Sequence, residues 1–193
     1  KLSRLNNTIR DSNQQLLDAH EELKLKNRML EQLSVTDRLT RLKNRLYIEQ
    51  VFDQEIERAE QNSAFGFAVM LLDIDHFKRI NDRYGHPAGD ATLTDFATIL
   101  RGCCREQDII ARWGGEEFMV ICPDTSAQTA EALAHKLCAA IRGHNFPHVG
   151  QCTTSIGVTT WRPGDRQKSL SIRADTALYA AKESGRDRVC CEF

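Results

Sequence analysis

The chain has 193 residues, of which 41% are apolar, enough for one packed domain of about 150 residues and an appendage. A formal net charge of −1 argues against broad electrostatic binding of a nucleic acid polymer. No run of about 18 apolar residues and no signal-peptide pattern is present, so this segment is expected neither to contact a membrane nor to be exported. Seven cysteines, odd in number and without metal-ligand spacing, read as reduced thiols of a cytoplasmic protein. Lys1 opens in mid-helix pattern, so the chain reads as the cytoplasmic part of something longer, with room for a membrane anchor upstream.

Leu2, Ile9, Leu16, Leu23 and Leu30 recur every seven residues, and Leu5, Ser12, Ala19, Lys26 and Leu33 follow three positions on. These are a and d positions of a heptad repeat, so 1–36 is expected to be a long coiled-coil helix that pairs with a second chain, a parallel homodimer being favoured. Asp37 breaks the heptad, and the polar stretch that follows is a joint. Asn44 then precedes an amphipathic helix over 46–61. Strand 66–73 is a continuous apolar run, as expected of a strand covered on both faces. A short helix over 77–84 stops at Gly85, and His86-Pro87 opens the next. A hairpin covers about 108–122, a helix 127–142, a strand 152–160 and a last helix 169–183, with Gly185 in the C′ role. A short strand, 188–191, closes the chain. The order of elements predicts an α/β (α+β) domain over 37–193, one mixed, largely antiparallel sheet flanked by helices.

Two acidic stretches carry the candidate chemistry. Arg112-Trp113-Gly114-Gly115-Glu116-Glu117-Phe118 reads as a hairpin turn in which the Gly-Gly pair suits φ > 0 and lets an anion come close. Alternation along a strand predicts that Glu116 and Glu117 point to opposite faces. The buried strand ends in Asp73-Ile74-Asp75, then His76-Phe77-Lys78. Carboxylates there are costly unless paired or bound to a cation. Two readings follow: Lys78 pairs with them, or Asp73 and a hairpin glutamate converge on Mg²⁺ with Lys78 meeting a phosphate.

Several segments together resemble the GGDEF domains, the diguanylate cyclases of bacterial signalling. They are Asp37-Arg38-Leu39-Thr40-Arg41-Leu42-Lys43-Asn44-Arg45, Asp73-Ile74-Asp75-His76-Phe77-Lys78-Arg79-Ile80-Asn81, Tyr84-Gly85-His86-Pro87-Ala88-Gly89-Asp90, the signature Gly114-Gly115-Glu116-Glu117-Phe118 in its Glu-Glu form, Ser155-Ile156-Gly157-Val158, and the stretch from Ala174 through Lys182 with Gly185-Arg186-Asp187-Arg188. Each is weak alone, and their common order is specific. The resemblance implies a five-stranded sheet related to polymerase palms and class III nucleotidyl cyclases.

It further implies a nucleotidyltransferase that condenses two GTP into cyclic di-GMP and two pyrophosphates across a dimer of such domains. Two Mg²⁺ per active site, with Mn²⁺ as an acceptable substitute, would lie on Asp73, Glu116, Glu117 and the carbonyl of Ile74. Glu116, Asp73 and Lys78 would be catalytic. GTP would meet Phe77, Asn81, Asp90, Gly114, Gly115, Lys182 and Arg186, with Asn81 and Asp90 reading guanine. An aspartate accepts from N1–H and the 2-amino group of guanine, and adenine has no N1–H. Arg105 and Asp108, with Lys136, match the family's RxxD inhibitory site for cyclic di-GMP. The alternative is a catalytically silent receptor that binds GTP or cyclic di-GMP and signals through the coiled coil.

Overall fold

The computed structural model describes residues 35–62 and 66–193, together with Gln14, His20 and Lys24, which are helical and exposed. The heptad positions therefore lie outside the described residues. One compact unit spans Thr36–Phe193.

Its centre is β2 (Phe67–Ile74), all eight residues of which are buried. β2 runs antiparallel to β4 (Glu117–Pro123) on one side and to β5 (Thr154–Thr160) on the other. β3 (Ile109–Arg112) pairs antiparallel with β4, and β6 (Val189–Glu192) pairs parallel with β5. A two-residue β1 (Lys43–Asn44) pairs parallel with β3 and completes the order β1-β3-β4-β2-β5-β6. The sheet is mixed and largely antiparallel, as the sequence predicts, but it has six strands where five are expected. Two residues are too few to show a hydrophobic period, which is why β1 is invisible in the sequence.

Helices cover both faces. Ala68, Met70, Leu72 and Ile74 of β2 point into one core with α2 (Phe77–Tyr84), α3 (His86–Cys103) and α4 (Ala127–Gly143). Phe67, Val69 and Leu71 point into the other with α1 (Arg45–Gln61) and α5 (Gln167–Glu183). Side chains alternate across a strand, so a strand covered twice must be apolar throughout, and β2 is. The cap expected at Asn44 forms, accepting from the Tyr47 amide at 3.0 Å to start α1, and Ser126 accepts from the Thr129 amide at 3.3 Å to start α4. Gly157 in β5 lies directly beneath α5, where a Cβ would run into the backbone of Ala174 and Leu178. Close approach of helix and sheet needs glycine there. Among the described residues no helix is long and apolar enough to cross a membrane.

Candidate active site

The sheet brings the acidic residues together at one end. Asp73, near the end of β2, stands directly opposite Glu117, the first residue of β4. Directly opposed residues share a face, so both carboxylates leave the sheet on one side. Glu116 sits one residue earlier, in the turn, and its carbonyl accepts the Ile74 amide at 3.3 Å. Asp73 is 7% exposed and its Oδ2 accepts Lys182 Nζ, from the last turn of α5, at 2.7 Å. Burial pushes the Asp73 carboxyl above its usual range, against the pull of Lys182. Burial also raises Glu116 and Glu117, and the charge of Asp73 raises both further while Lys182 opposes it.

Two local expectations are corrected here. Glu116 lies in the turn, one residue before β4 begins at Glu117, so the alternation expected of the pair applies only from Glu117 onward. Neither Gly114 nor Gly115 has a positive φ. A Cβ on Gly114 would lie 2.8 Å from Glu117 Oε2 and so would push that carboxylate aside, while Gly115 faces open space. The turn is held by Arg112, whose guanidinium donates to the carbonyls of Gly114 and Gly115 at 3.2 and 2.6 Å and pairs with Asp37 at 3.4 Å. Asp37 also accepts from the amide and hydroxyl of Thr40, at 2.8 and 2.7 Å. Burial alone would raise the Asp37 carboxyl, but these bonds and Arg112 hold it below its usual range. Arg112 escapes the sequence reading because nothing in its own context distinguishes it from a solvated strand-end arginine.

The other expected GTP contacts lie on α2, α3 and the end of α5. His76 adopts a left-handed φ of 58° where the chain leaves β2 for α2. Phe77 is buried, Asn81 half-buried, and Lys78 and Asp90 are exposed. Lys78 makes no ion pair among the described residues, so the simple pairing of Lys78 with the strand-end carboxylates does not occur, and Lys182 takes that role. Gly89 packs against both expected nucleotide contacts of α2: a Cβ there would strike Asn81 Oδ1 and lie 3.2 Å from Phe77 Cζ. Arg186 follows α5 in a left-handed conformation, and its charge only partly offsets the rise that burial imposes on Asp73. A cavity of about 570 Å³ opens on the opposite face of α2, bounded by Arg79, Arg83, Tyr84 and Gln151, and includes none of the residues expected to meet GTP.

Arg105 and Asp108 form a separate constellation. Asp108 accepts from the Arg105 amide at 2.8 Å and from its guanidinium at 3.1 Å, and its side chain is wholly buried. The same guanidinium donates to Thr125 Oγ1 at 2.5 Å. Lys136, on α4, donates to the Cys103 carbonyl at 2.9 Å. Asp108 precedes β3 and the acidic turn follows it, so the length of a four-residue strand, about 13 Å, separates the two places. All seven cysteines are free, and burial pushes Cys104 and Cys152 up to about 12, which keeps them protonated and unreactive.

The donor set suits a hard divalent cation. Three carboxyls with raised protonation ranges share one lysine, and a cation would relieve that crowding. Among the described residues no three Asp, Glu, His or Cys side chains already form a cage. An ion at this place would take one or two carboxylates and complete its shell with other oxygens, as Mg²⁺ does with substrate phosphates.

The model for the family described as "Diguanylate cyclase, GGDEF domain" matches residues 34–188. The chain is 42% identical over 161 residues to diguanylate cyclase DgcP of Pseudomonas aeruginosa, a match covering 82% of this chain and 24% of that protein. Against the GGDEF domain of DgcB from Caulobacter crescentus in complex with c-di-GMP, the TM-score is 0.78 at 32% identity, over 82% of this chain and 95% of the other. Against the active GGEEF domain of a diguanylate cyclase from Vibrio cholerae, it is 0.72 at 31% identity, over 77% and 96%. The chain spans less than half the length of the first curated relatives it matches.

Proposed function

The chain belongs to the GGDEF family of diguanylate cyclases, and from that premise we propose that it condenses two molecules of GTP into cyclic di-GMP with release of two pyrophosphates. The observation that carries the reading is the pairing of Asp73 with Glu117 across β2 and β4, with Glu116 and Lys182 gathered on the same carboxylate. A receptor without turnover has no need of three crowded carboxyls, and the Vibrio cholerae domain with the same Glu-Glu signature is described as active.

Asp73, Glu116 and Glu117, with the carbonyl of Ile74, are the residues that would hold Mg²⁺, or Mn²⁺ in its place. When bound, two such ions would polarise the α-phosphate and favour loss of the proton from the 3′-hydroxyl of the opposing GTP. The chain's own groups bind and orient. Lys78, Lys182 and Arg186 neutralise the triphosphate, which demands that Lys182 exchange its bond to Asp73 for phosphate oxygens. Without a Cβ at Gly114 the Glu117 carboxylate keeps its place beside the turn, and Gly114, Gly115 and Phe77 would meet the nucleotide. Asn81 and Asp90 read the guanine edge. Glu116, in the turn and raised by burial and by the charge of Asp73, would be the group that takes a proton.

Each domain holds one GTP, so two must meet. A coiled coil over 1–36 would tether a homodimer of domains 37–193 and raise the effective concentration of the second half-site. Arg105 and Asp108, already set against each other and Thr125, would bind cyclic di-GMP as a feedback inhibitor, with Lys136 added once it leaves the Cys103 carbonyl. The protein, in this reading, works in the cytoplasm. Incubation with GTP and Mg²⁺ tests it: cyclic di-GMP and pyrophosphate are expected in a ratio of about one to two, and nucleotide binding without product would favour the silent receptor.

A further inference from the structure

The turn after α5 is strained, and two residues outside the proposed active site hold it. α5 ends with the Gly185 amide donating to the Lys182 carbonyl at 3.4 Å and the Arg186 amide to the Ala181 carbonyl at 3.0 Å. This is the paired closure expected of a glycine at C′. Gly185 has φ 114°, which glycine tolerates. The next two residues have no such freedom, yet Arg186 and Asp187 stand at φ 63° and 48°. Consecutive left-handed residues with side chains persist only where the surroundings hold them.

The surroundings do so from three sides. Asp75, 5% exposed, accepts the Asp187 amide on Oδ2 at 3.0 Å. Its own carboxylate is fixed by the hydroxyls of Thr153 and Ser155, each at 2.7 Å. Arg142 of α4 donates Nε to Asp187 Oδ2 at 2.6 Å and Nη2 to the Asp187 carbonyl at 3.2 Å. Beyond the turn, the Ile156 amide donates to the Arg188 carbonyl at 2.9 Å. Between these clamps stands Arg186, its amide bonded to the carbonyl of Ala181, the residue before the Lys182 that bonds Asp73 at 2.7 Å.

We infer that Asp75 and Arg142 are positioning residues for the triphosphate of GTP: by fastening Asp187 they hold Arg186 in its left-handed conformation, four residues beyond the Lys182 that bonds Asp73. The inference rests on the proposed GTP site, and it assigns a task to two residues that touch no substrate. Without the clamp, Arg186 would relax to a right-handed conformation and carry its guanidinium away from the phosphates. Arg142 is the residue to test, because its side chain is 52% exposed and surface ion pairs contribute little to stability.

The experiment compares the parent chain with Arg142→Ala and Arg142→Lys in steady-state turnover of GTP with Mg²⁺, alongside thermal unfolding. Arg142→Ala is expected to raise KM for GTP about tenfold, the loss of one charge-assisted contact, and to leave kcat within about threefold. Its thermal midpoint should stay close to the parent's, and Arg142→Lys, which keeps a cation, should recover part of the loss in KM. Unchanged KM in Arg142→Ala, or kcat falling in step with the thermal midpoint, would overturn the inference. Titration with a non-hydrolysable GTP analogue reads the same arm without turnover. A parent that binds the analogue but forms no product refutes the cyclase reading and leaves the clamp measurable. Equal affinity of parent and Arg142→Ala overturns the clamp, and a parent that binds no analogue overturns both.

Discussion

At the scale of single residues, the acidic end of the sheet shows what position adds to residue type. Asp73 and the two glutamates stand out in the sequence because carboxylates at the end of a buried strand need a partner. Which partner they take is a matter of three-dimensional placement: Lys182 reaches Asp73 from a helix more than 100 positions later, and no local pattern shows that. The same holds for Asp75, which reads as one more acidic residue and turns out to fasten Thr153, Ser155 and Asp187. Gly89 is a third case. In the sequence it is a helix glycine beside Asp90; in the fold its missing side chain makes room for Asn81. Gly89→Ala should therefore displace the Asn81 amide, which can swing aside, and leave the backbone in place. The expected result is a KM for GTP raised about tenfold or more, from a lost guanine contact of about 1–3 kcal/mol. Thermal stability should change by less than about 1 kcal/mol, since alanine favours the helix by a similar amount. Unchanged nucleotide affinity would detach Asn81 from guanine recognition.

At the scale of elements, long segments with a strong period are legible and short ones are not. β2 is plain from an unbroken apolar run, and α4 from its apolar stripe. β1 is missed because two residues carry no period, and Glu116 is placed on the strand in the sequence although the turn extends over it. The junction of β5 and α5 illustrates how two elements are locked. Gly157 allows α5 to lie against the sheet, so Gly157→Ala, which would drive a methyl into the backbone of Ala174 and Leu178, should destabilise the domain by about 3 kcal/mol or abolish folding. A denaturation midpoint equal to the parent's would contradict that packing. The loop between the two elements closes on Asp165, which takes both arms of Arg173 at 2.7 and 2.6 Å and accepts from Ser169 and the Arg162 amide. Burial opposes ionisation there, but Arg173 and the other donors prevail and hold the carboxyl down to about 2. Such a group contributes stability that is present above its ordinary value of 3.8 and lost as pH falls through the folded value. The stability difference between the parent and Asp165→Asn should thus be largest near neutral pH and shrink between pH 3.8 and about 2. A difference independent of pH would deny the carboxylate its part in the lock.

At the scale of the whole molecule, β3 separates the carboxylate centre from the Arg105–Asp108 pair. The turn after it belongs to the carboxylate centre, and Arg105 and Asp108 before it are already bonded to each other. If the proposed roles hold, that separation would let one small domain bind substrate and product without overlap, the arrangement that feedback through a second site requires. The order of motifs makes the family legible in the sequence, because each segment lands where the fold needs it: glycine under α5, carboxylates opposite one another, a basic turn beyond them. The pairing of chains is argued from heptad spacing alone, for those positions lie outside the described residues. Everything proposed for the molecule depends on the carboxylates of β2 and the hairpin doing chemistry. The most direct test is the rate of cyclic di-GMP formation from GTP and Mg²⁺ by the parent chain and by Glu116→Gln, an isosteric change that removes only the charge. The account predicts a fall of more than about a hundredfold in kcat with the fold and thermal midpoint retained; a Glu116→Gln protein that forms cyclic di-GMP at the parent's rate would contradict it.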